Sequence, residues 1–228
     1  MERILLKNVL NIRDLGGFST KDNKKIKYHK IIRSSVIDRI TKDEIDYFVK
    51  NNVLVVIDLR DSDEISKKTN VLSLDQRFQY NVVSLRGKDF PKLEKEIPKG
   101  YINIVDDKDT IHKVIKIIMD SDSGVIFSCN SGKDRTGMIS MLLLLICDVP
   151  KEDIIADYSI SYIYLKNEIE KFHKDNPTLP KFIGKSKSRY MEETIDLFYK
   201  KYCSIEEYMK YIGFDNNDIQ RLKNKLLN

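Results

Sequence analysis

The sequence predicts an α/β fold in which helices flank a central, mostly parallel sheet. Short runs rich in β-branched residues alternate with charged stretches whose apolar residues recur every three or four positions. This alternation is typical of strand–helix–strand units. One run, residues 53–58, is apolar almost throughout, as expected for a strand covered on both faces in a parallel sheet.

The amino-terminal part contains three predicted strands and one predicted helix. Residues 31–34 and 53–58 are the first two strands, and residues 81–85 form a weaker third strand. The hydroxyl of Thr41 suits the N-terminal cap of a helix, which is expected to run to about Asn51.

Two helices enclose the fourth predicted strand. The first runs from about residue 109 to 119, and its apolar residues recur at three- and four-residue spacing. The strand covers residues 124–128, and a helix with a Leu-rich middle follows it. Such a strand–loop–helix step is the usual place for a ligand site in a parallel sheet.

The pattern changes from residue 151 onward. Residues 153–173 are predicted to form one aromatic helix, which Pro177 and Pro180 end. We therefore expect one domain over residues 1–228, with an α/β core at about 1–150 and a helical extension at about 151–228. Further helices are expected at about 189–202, 204–211 and 215–227.

Composition excludes several classes of protein. The chain has 228 residues, of which 41% are hydrophobic and 33% charged, a balance typical of a globular protein and not of a disordered one. Its longest purely apolar run, residues 141–147, is far shorter than the roughly 20 residues that span a bilayer. The net charge of +5 is too small an excess to indicate a nucleic-acid partner.

Cysteine and histidine positions argue against disulfides, metals and cofactors. The three cysteines, Cys129, Cys147 and Cys203, are widely separated and odd in number, and the histidines have no metal-ligand spacing. The first residues contain no apolar stretch long enough for a secretory signal. A reducing, cytoplasmic setting is therefore expected, while nothing in the sequence specifies an oligomeric state.

One segment stands out for its chemistry. A cysteine ends the strand at 124–128, five residues intervene, and an arginine follows where the next helix begins. The amides of such a loop, together with the positive end of the helix, form a binding site for an anion. The segment reads Ser128-Cys129-Asn130-Ser131-Gly132-Lys133-Asp134-Arg135-Thr136-Gly137.

Each of these residue types suits the hydrolysis of a phosphate monoester. The planar guanidinium of Arg135 can bind two phosphate oxygens, and the positive field favours the nucleophilic thiolate of Cys129. Thiolate attack on phosphorus would give a phosphocysteine, which water would release, and Thr136 is placed to hydrogen-bond the thiolate. The predicted substrate-binding residues are Asn130, Ser131, Gly132, Lys133, Thr136 and Gly137.

At these residues the chain resembles the Cys-dependent protein tyrosine phosphatases. More narrowly, it is similar to the bacterial tyrosine and dual- or triple-specificity phosphatases whose loop reads His-Cys-x-x-Gly-Lys-Asp-Arg-Thr-Gly. The chain departs from that pattern with Ser128 in place of His and Ser131 in place of a small apolar residue. Similar segments elsewhere are 11–17 (Asn-Ile-Arg-Asp-Leu-Gly-Gly), 32–35 (Ile-Arg-Ser-Ser), 57–60 (Ile-Asp-Leu-Arg), 189–193, 202–208 and 212–214.

The resemblance implies a substrate range and a general acid. Phosphotyrosine is the expected substrate, with phosphoserine, phosphothreonine and phosphoinositides as further ones, because the Lys133–Asp134 pair accompanies phosphoinositide activity in that family. Asp134 is the expected proton donor to the leaving group, and the upstream cluster Asp106, Asp107 and Asp109 is the alternative. The resemblance also implies a helical lid, for which Tyr158, Tyr162 and Phe172 are the candidates.

Two other functions remain open from the sequence. A catalytically weak module could bind phosphate or phosphotyrosine through the same loop without turning it over. A rhodanese-like sulfurtransferase or an arsenate reductase also places a cysteine loop between a strand and a helix. Neither is expected to carry Gly-Lys-Asp-Arg-Thr-Gly after its cysteine.

Overall fold

A computed structural model describes residues 1–87 and 91–228. It confirms the predicted α/β fold, with a six-stranded sheet in the order β1-β2-β3-β6-β4-β5. Strands β3, β6, β4 and β5 are parallel, while β1 and β2 pair antiparallel at one edge. The strands are β1 (Glu2–Arg3), β2 (Arg13–Asp14), β3 (Ile31–Ser35), β4 (Val53–Asp58), β5 (Gln79–Val82) and β6 (Gly124–Cys129).

Helices cover both faces of the sheet. Those before β6 are α1 (Lys42–Lys50), α2 (Ser62–Lys67), α3 (Ile97–Val105) and α4 (Lys108–Asp120), with short 3₁₀ turns at Val71–Leu74 and Glu94–Glu96. Those after it are α5 (Asp134–Ile146), α6 (Lys151–Ser159), α7 (Ser161–Tyr164), α8 (Lys166–Asp175), α9 (Ser188–Tyr202), α10 (Ile205–Tyr211) and α11 (Asn216–Leu226). In the described parts of the chain, no helix is long and apolar enough to cross a membrane.

Alternate residues of the central strands enter two separate cores. Val125 and Phe127 of β6 belong to the larger core, which holds apolar residues of α3–α5 and α9–α11. Ile126 belongs to the smaller core on the other face, where Phe48 of α1 packs. Because successive side chains of a strand point to opposite faces, a strand between two cores favours apolar residues at successive positions. This explains the continuous apolar run at 53–58 as well.

The third strand differs from its prediction. It covers Gln79–Val82, not 81–85, and Gln79 and Val82 are exposed at the edge of the sheet. An edge strand is open to solvent along one side of its length, and here residues on both of its faces are exposed, so it lacks the apolar run that reveals a buried strand. The amides of Val83 and Leu85 still bind the carbonyls of Asp58 and Leu59 beyond the end of the strand pairing.

The aromatic segment at 153–173 is not one helix as predicted, but α6, α7 and α8. Helix α6 ends at Ser159, and at Leu165, between α7 and α8, the backbone is not helical, with φ −108° and ψ 6°. The periodicity predicts helical structure across these breaks because apolar residues continue on the same side. The three later helices lie within one residue of their predicted positions.

A buried ion cluster joins the sheet to α6. Nε of Arg13 on β2 donates to Oδ1 of Asp157 at 2.6 Å, and Nη1 of Arg33 on β3 donates to Oδ2. All three side chains are almost fully buried. Burial alone would raise the pKa of Asp157, but the two guanidiniums outweigh it and hold that pKa below its ordinary value. The carboxylate is therefore charged and fully paired.

Asp157→Asn is expected to lower the free energy of unfolding by about 3–5 kcal/mol, because it leaves two buried guanidiniums without a counter-charge. Urea unfolding at pH 7 measures this loss. Asp196→Asn is the control, since Asp196 pairs with Lys151 at the surface with 64% of its side chain exposed. That change should cost less than about 1 kcal/mol. Similar losses in the two variants would contradict the prediction.

Candidate active site

The predicted phosphate loop lies at the carboxyl end of the central strand. Cys129 is the last residue of β6, and α5 begins at Asp134, so the loop is only four residues long. Cys129 is buried at the base of the loop. The amino end of α5 and the thiol therefore face the same small volume, where the helix field favours negative charge.

Gly132 lets the loop pack directly against β3. Its φ is +65°, and a Cβ at this position would lie 2.3 Å from the carbonyl oxygen of Ser34. The left-handed backbone favours glycine, and the close approach excludes any residue with a side chain. The glycine predicted from the sequence is thus required by the backbone itself.

Two side chains bind the carbonyl groups of the loop. Nδ2 of Asn11 donates to the carbonyl oxygens of Ser131 and Gly132, at 3.0 and 2.9 Å. Nη2 of Arg33 donates to the Gly132 carbonyl at 2.8 Å. Because the C=O and the following N–H of a peptide plane point in opposite directions, the N–H groups that follow are free to face an anion. The ion cluster around Asp157 thus also shapes the loop.

Arg135 is held by a glutamate that the sequence analysis missed. Its Nη1 and Nη2 donate to the two carboxylate oxygens of Glu64, each at 2.7 Å, and Nδ2 of Asn130 donates to Glu64 Oε1 at 2.6 Å. Burial lowers the pKa of Arg135, but the charges of Glu64, Cys129 and Asp134 raise it above its ordinary value. The guanidinium is therefore a fixed, permanent cation at the rim of the loop.

The sequence does contain a pattern that indicates a position for Glu64 near the phosphate loop. It is the fourth residue of Asp61-Ser-Asp-Glu64, a capping box that starts α2 immediately after β4. An acidic side chain in a first helical turn at the carboxyl end of a parallel strand faces the same edge as the phosphate loop. Only the strand order, with β4 beside β6, shows that it reaches Arg135.

Asp134 lies beside the loop in a network of donors. Nζ of Lys133 donates to its Oδ1 at 2.7 Å, and the hydroxyl of Tyr101 donates to the same oxygen. Burial would raise the pKa of Asp134, but Lys133, Tyr101 and Arg135 together hold it below its ordinary value. The carboxyl is thus ionised at neutral pH. Lys133 also donates to the carbonyl of Lys185 at 3.1 Å.

A cavity of about 690 Å³ opens over the loop. Its floor includes Asn130, Ser131, Lys133 and Asp134, and its walls come from α3, α8 and the segment 182–185. The polar groups therefore converge at one end of a largely apolar cleft, as in many small-molecule sites. The apolar wall residues are Ile97, Ile104, Leu165, Ile169, Phe172, Phe182 and Ile183.

The other predicted residues take different places. Asp106 binds Lys201 and the hydroxyl of Tyr202, and within the described chain neither it nor Asp107 or Asp109 lines the cavity. Thr136 is buried, and its hydroxyl has no hydrogen-bond partner among the described residues. Gly137 leaves room for the Tyr158 ring, which would be 3.4 Å from a Cβ.

The three lid candidates occupy different positions relative to the cavity. Tyr158 is fully buried against Tyr101 and does not cover the cavity, whereas Phe172 lines it. The ring of Tyr162 lies 5.4 Å from Nζ of Lys185. Across residues 1–87 and 91–228, no cluster of three metal-ligating side chains is present.

A cysteine at the end of a central parallel strand, an arginine at the start of the next helix and a backbone loop between them are the features of a cysteine-loop enzyme of the α/β class. The chain belongs to the tyrosine phosphatase family, whose model matches residues 4–228. It is thus a phosphoric monoester hydrolase acting on a phosphorylated substrate.

Three of the individual proteins that match this chain share fewer than a third of their residues with it. A tyrosine-protein phosphatase from Nostoc commune is 28% identical over 215 residues, covering 86% of this chain and 73% of that protein. The catalytic core of the PP-IP phosphatase SIW14 from S. cerevisiae is 16% identical, with 78% of this chain and 98% of that chain covered and a TM-score of 0.42. TpbA of P. aeruginosa is 10% identical, with 63% and 83% covered and a TM-score of 0.39.

Proposed function

We propose that this phosphatase hydrolyses phosphotyrosine through a phosphocysteine formed on Cys129. The observation that carries the proposal is the structure of the loop beside the buried thiol. Side chains of Asn11 and Arg33 donate hydrogen bonds to its Gly132 carbonyl and so fix its backbone. In the proposed complex the loop amides bind the phosphoryl oxygens together with the guanidinium of Arg135, which must first release Glu64. Preorganised donors of this kind stabilise the charge that develops on phosphoryl oxygens.

In the first step, Sγ of Cys129 attacks phosphorus as the bond from phosphorus to the tyrosine oxygen breaks. The departing oxygen has a conjugate-acid pKa of about 10 and takes a proton from Asp134 as it leaves. Asp134 belongs to the phosphate loop region and lines the cavity, whereas Asp106, Asp107 and Asp109 do not, which favours Asp134 over them. The products of this step are tyrosine and the phosphocysteine.

In the second step, a water molecule attacks the phosphorus of the phosphocysteine. The carboxylate of Asp134 takes its proton, the bond between phosphorus and sulfur breaks, and the thiolate returns with inorganic phosphate released. Asp134 is ionised in the free enzyme, which suits this second step. A bound dianionic phosphate raises its pKa and so prepares the protonated form that the first step needs.

The cavity supports the substrate class. Its apolar walls suit the ring of a phosphotyrosine, and its volume exceeds what one ring fills, so phosphoserine, phosphothreonine and phosphoinositides are the wider range we propose. Residues of α8 and the segment 182–185 form part of the wall. We accordingly treat residues 1–228 as one phosphatase domain, with the helical extension completing the cleft over the core.

Cys129→Ser is expected to reduce turnover of phosphotyrosine peptides below about one per cent, because a serine hydroxyl is hardly ionised at neutral pH. Binding of vanadate, measured by calorimetry, should persist. Arg135→Lys should also lose turnover, since an ammonium cannot make the two-point contact of a guanidinium. Cys203→Ser, at an exposed cysteine, is the control and should keep the full rate. Retention of several per cent activity in Cys129→Ser would rule out this nucleophile.

Asp134→Asn is expected to slow release of a phenol from phenyl phosphate by roughly 10²–10⁴, the usual contribution of a general acid. The loss should shrink for an activated aryl phosphate, whose leaving group needs little protonation. Initial rates across a series of aryl phosphates measure this dependence, with Asp109→Asn as the control. A uniform loss across the series would make Asp134 a structural brace and return the role to the upstream aspartates.

Lys133→Ala is expected to reduce hydrolysis of polyphosphorylated inositol headgroups more than hydrolysis of phosphotyrosine. Lys133 lies on the cavity floor, and its flexible ammonium would contact a second phosphate once released from Asp134 and Lys185. Values of kcat/KM on both substrates, in wild type and variant, give the comparison. Equal losses on the two substrates would show that Lys133 only supports the loop.

A further inference from the structure

Two buried tyrosines form a hydrogen-bonded chain that ends on Asp134. Tyr101 extends from α3 and Tyr158 from α6, and their hydroxyl oxygens are 2.7 Å apart. Their rings meet edge to face, with centroids 5.9 Å apart. Tyr101 is only 5% exposed and Tyr158 is fully buried, so water cannot readily replace either partner. Neither tyrosine has a role in the mechanism above.

The carboxylate of Asp134 fixes the donor-to-acceptor direction of these hydrogen bonds. An ionised carboxylate only accepts hydrogen bonds, so Tyr101 must donate its single proton to Oδ1 of Asp134. The oxygen of Tyr101 then accepts the proton of Tyr158. Each donor polarises the next, which strengthens the bond to the carboxylate. Burial and the charge of Asp134 raise the pKa of both tyrosines well above the ordinary value, so both stay protonated.

We infer that Tyr101 is a positioning residue for Asp134, and that Tyr158 orients the hydroxyl of Tyr101. Tyr101 and Lys133 both donate to Oδ1, which leaves Oδ2 as the oxygen that can carry a proton. The pair thereby fixes the rotation of the carboxyl and decides which of its oxygens transfers the proton. This inference rests on the proposed acid role of Asp134.

The groups around Asp134 determine how removal of the Tyr101 hydroxyl should change the pKa of Asp134. Lys133 and Arg135 face it from its own loop and helix, and Tyr101 and Tyr158 face it from α3 and α6. Besides Lys133 and Asp134 itself, the charged residues that line the same cavity are Glu96, Lys99, Glu168 and Lys185. Among the described residues, Tyr101 is the uncharged side chain that donates a hydrogen bond to this carboxylate, so its loss should raise the pKa of Asp134.

The test is the pre-steady-state burst of tyrosine release from a phosphotyrosine peptide, measured at saturating substrate from pH 4 to 8. The burst needs protonated Asp134, so its basic limb reports the pKa of Asp134 in the complex. Tyr101→Phe should move this limb up by about one pH unit, the effect of one hydrogen bond to a charged group. Tyr158→Phe should move it the same way by less.

The plateau below the limb gives a second readout. Loss of the fixed carboxyl rotation should lower the plateau several-fold in Tyr101→Phe for phosphotyrosine, and much less for an activated aryl phosphate. Tyr208→Phe is the matched control, because this buried hydroxyl donates to the carbonyl of Val105 at the end of α3 and does not contact Asp134. Tyr208→Phe removes a comparable hydrogen bond that is made to α3, the helix that carries Tyr101.

Asp134→Asn separates this inference from the proposed function. If Asp134→Asn abolishes the basic limb while the limb is unmoved in both Tyr101→Phe and Tyr158→Phe, the tyrosine pair has no positioning role and the mechanism stands. An equal shift in Tyr208→Phe would also overturn the inference. If Asp134→Asn keeps the wild-type limb, the proposed acid is wrong and the inference falls with it.

Discussion

The carboxylate of Asp157, enclosed by Arg13 and Arg33, is the interaction on which the rest of the structure depends. Removing one carboxylate and two guanidiniums from water costs several kcal/mol for each ion, which only close pairing offsets. The pairing fixes β2, β3 and α6 against one another. Arg33 has a further donor, which it places on the Gly132 carbonyl. A single buried anion therefore connects the sheet, the helical extension and the phosphate loop.

A similar arrangement recurs in the phosphate loop, where a carboxylate holds each of the two cations Lys133 and Arg135. Glu64 binds Arg135, and Asp134 binds Lys133. These pairs keep long side chains in one place, so less conformational freedom is lost when a substrate binds. They also set a condition for binding, since a phosphate must compete with Glu64 for the guanidinium. The charge of the site is thus balanced by residues that a substrate can displace.

How far the sequence predicts this molecule depends on whether a feature is local. The strands at 53–58 and 124–129, the capped helix after Thr41 and the loop from Cys129 to Arg135 follow from residue types and spacing within a short window. Glu64 and Tyr101 do not, because they reach the site only through the order of the strands and the packing of α3. The edge strand β5 is mispredicted for a related reason: its exposed residues carry no pattern of burial. Long-range contacts of polar residues leave no periodic trace in the chain.

The close approach of Gly132 to β3 has a mechanical consequence. Since no side chain separates the loop from the strand, the loop takes its stiffness from the centre of the sheet, the part of a fold that opens least often. The conformational entropy of ordering the loop is lost when the protein folds, and a ligand that binds later does not lose it again. Small displacements of the outer helices can then change the width of the cleft, while the phosphate loop at its base keeps its conformation.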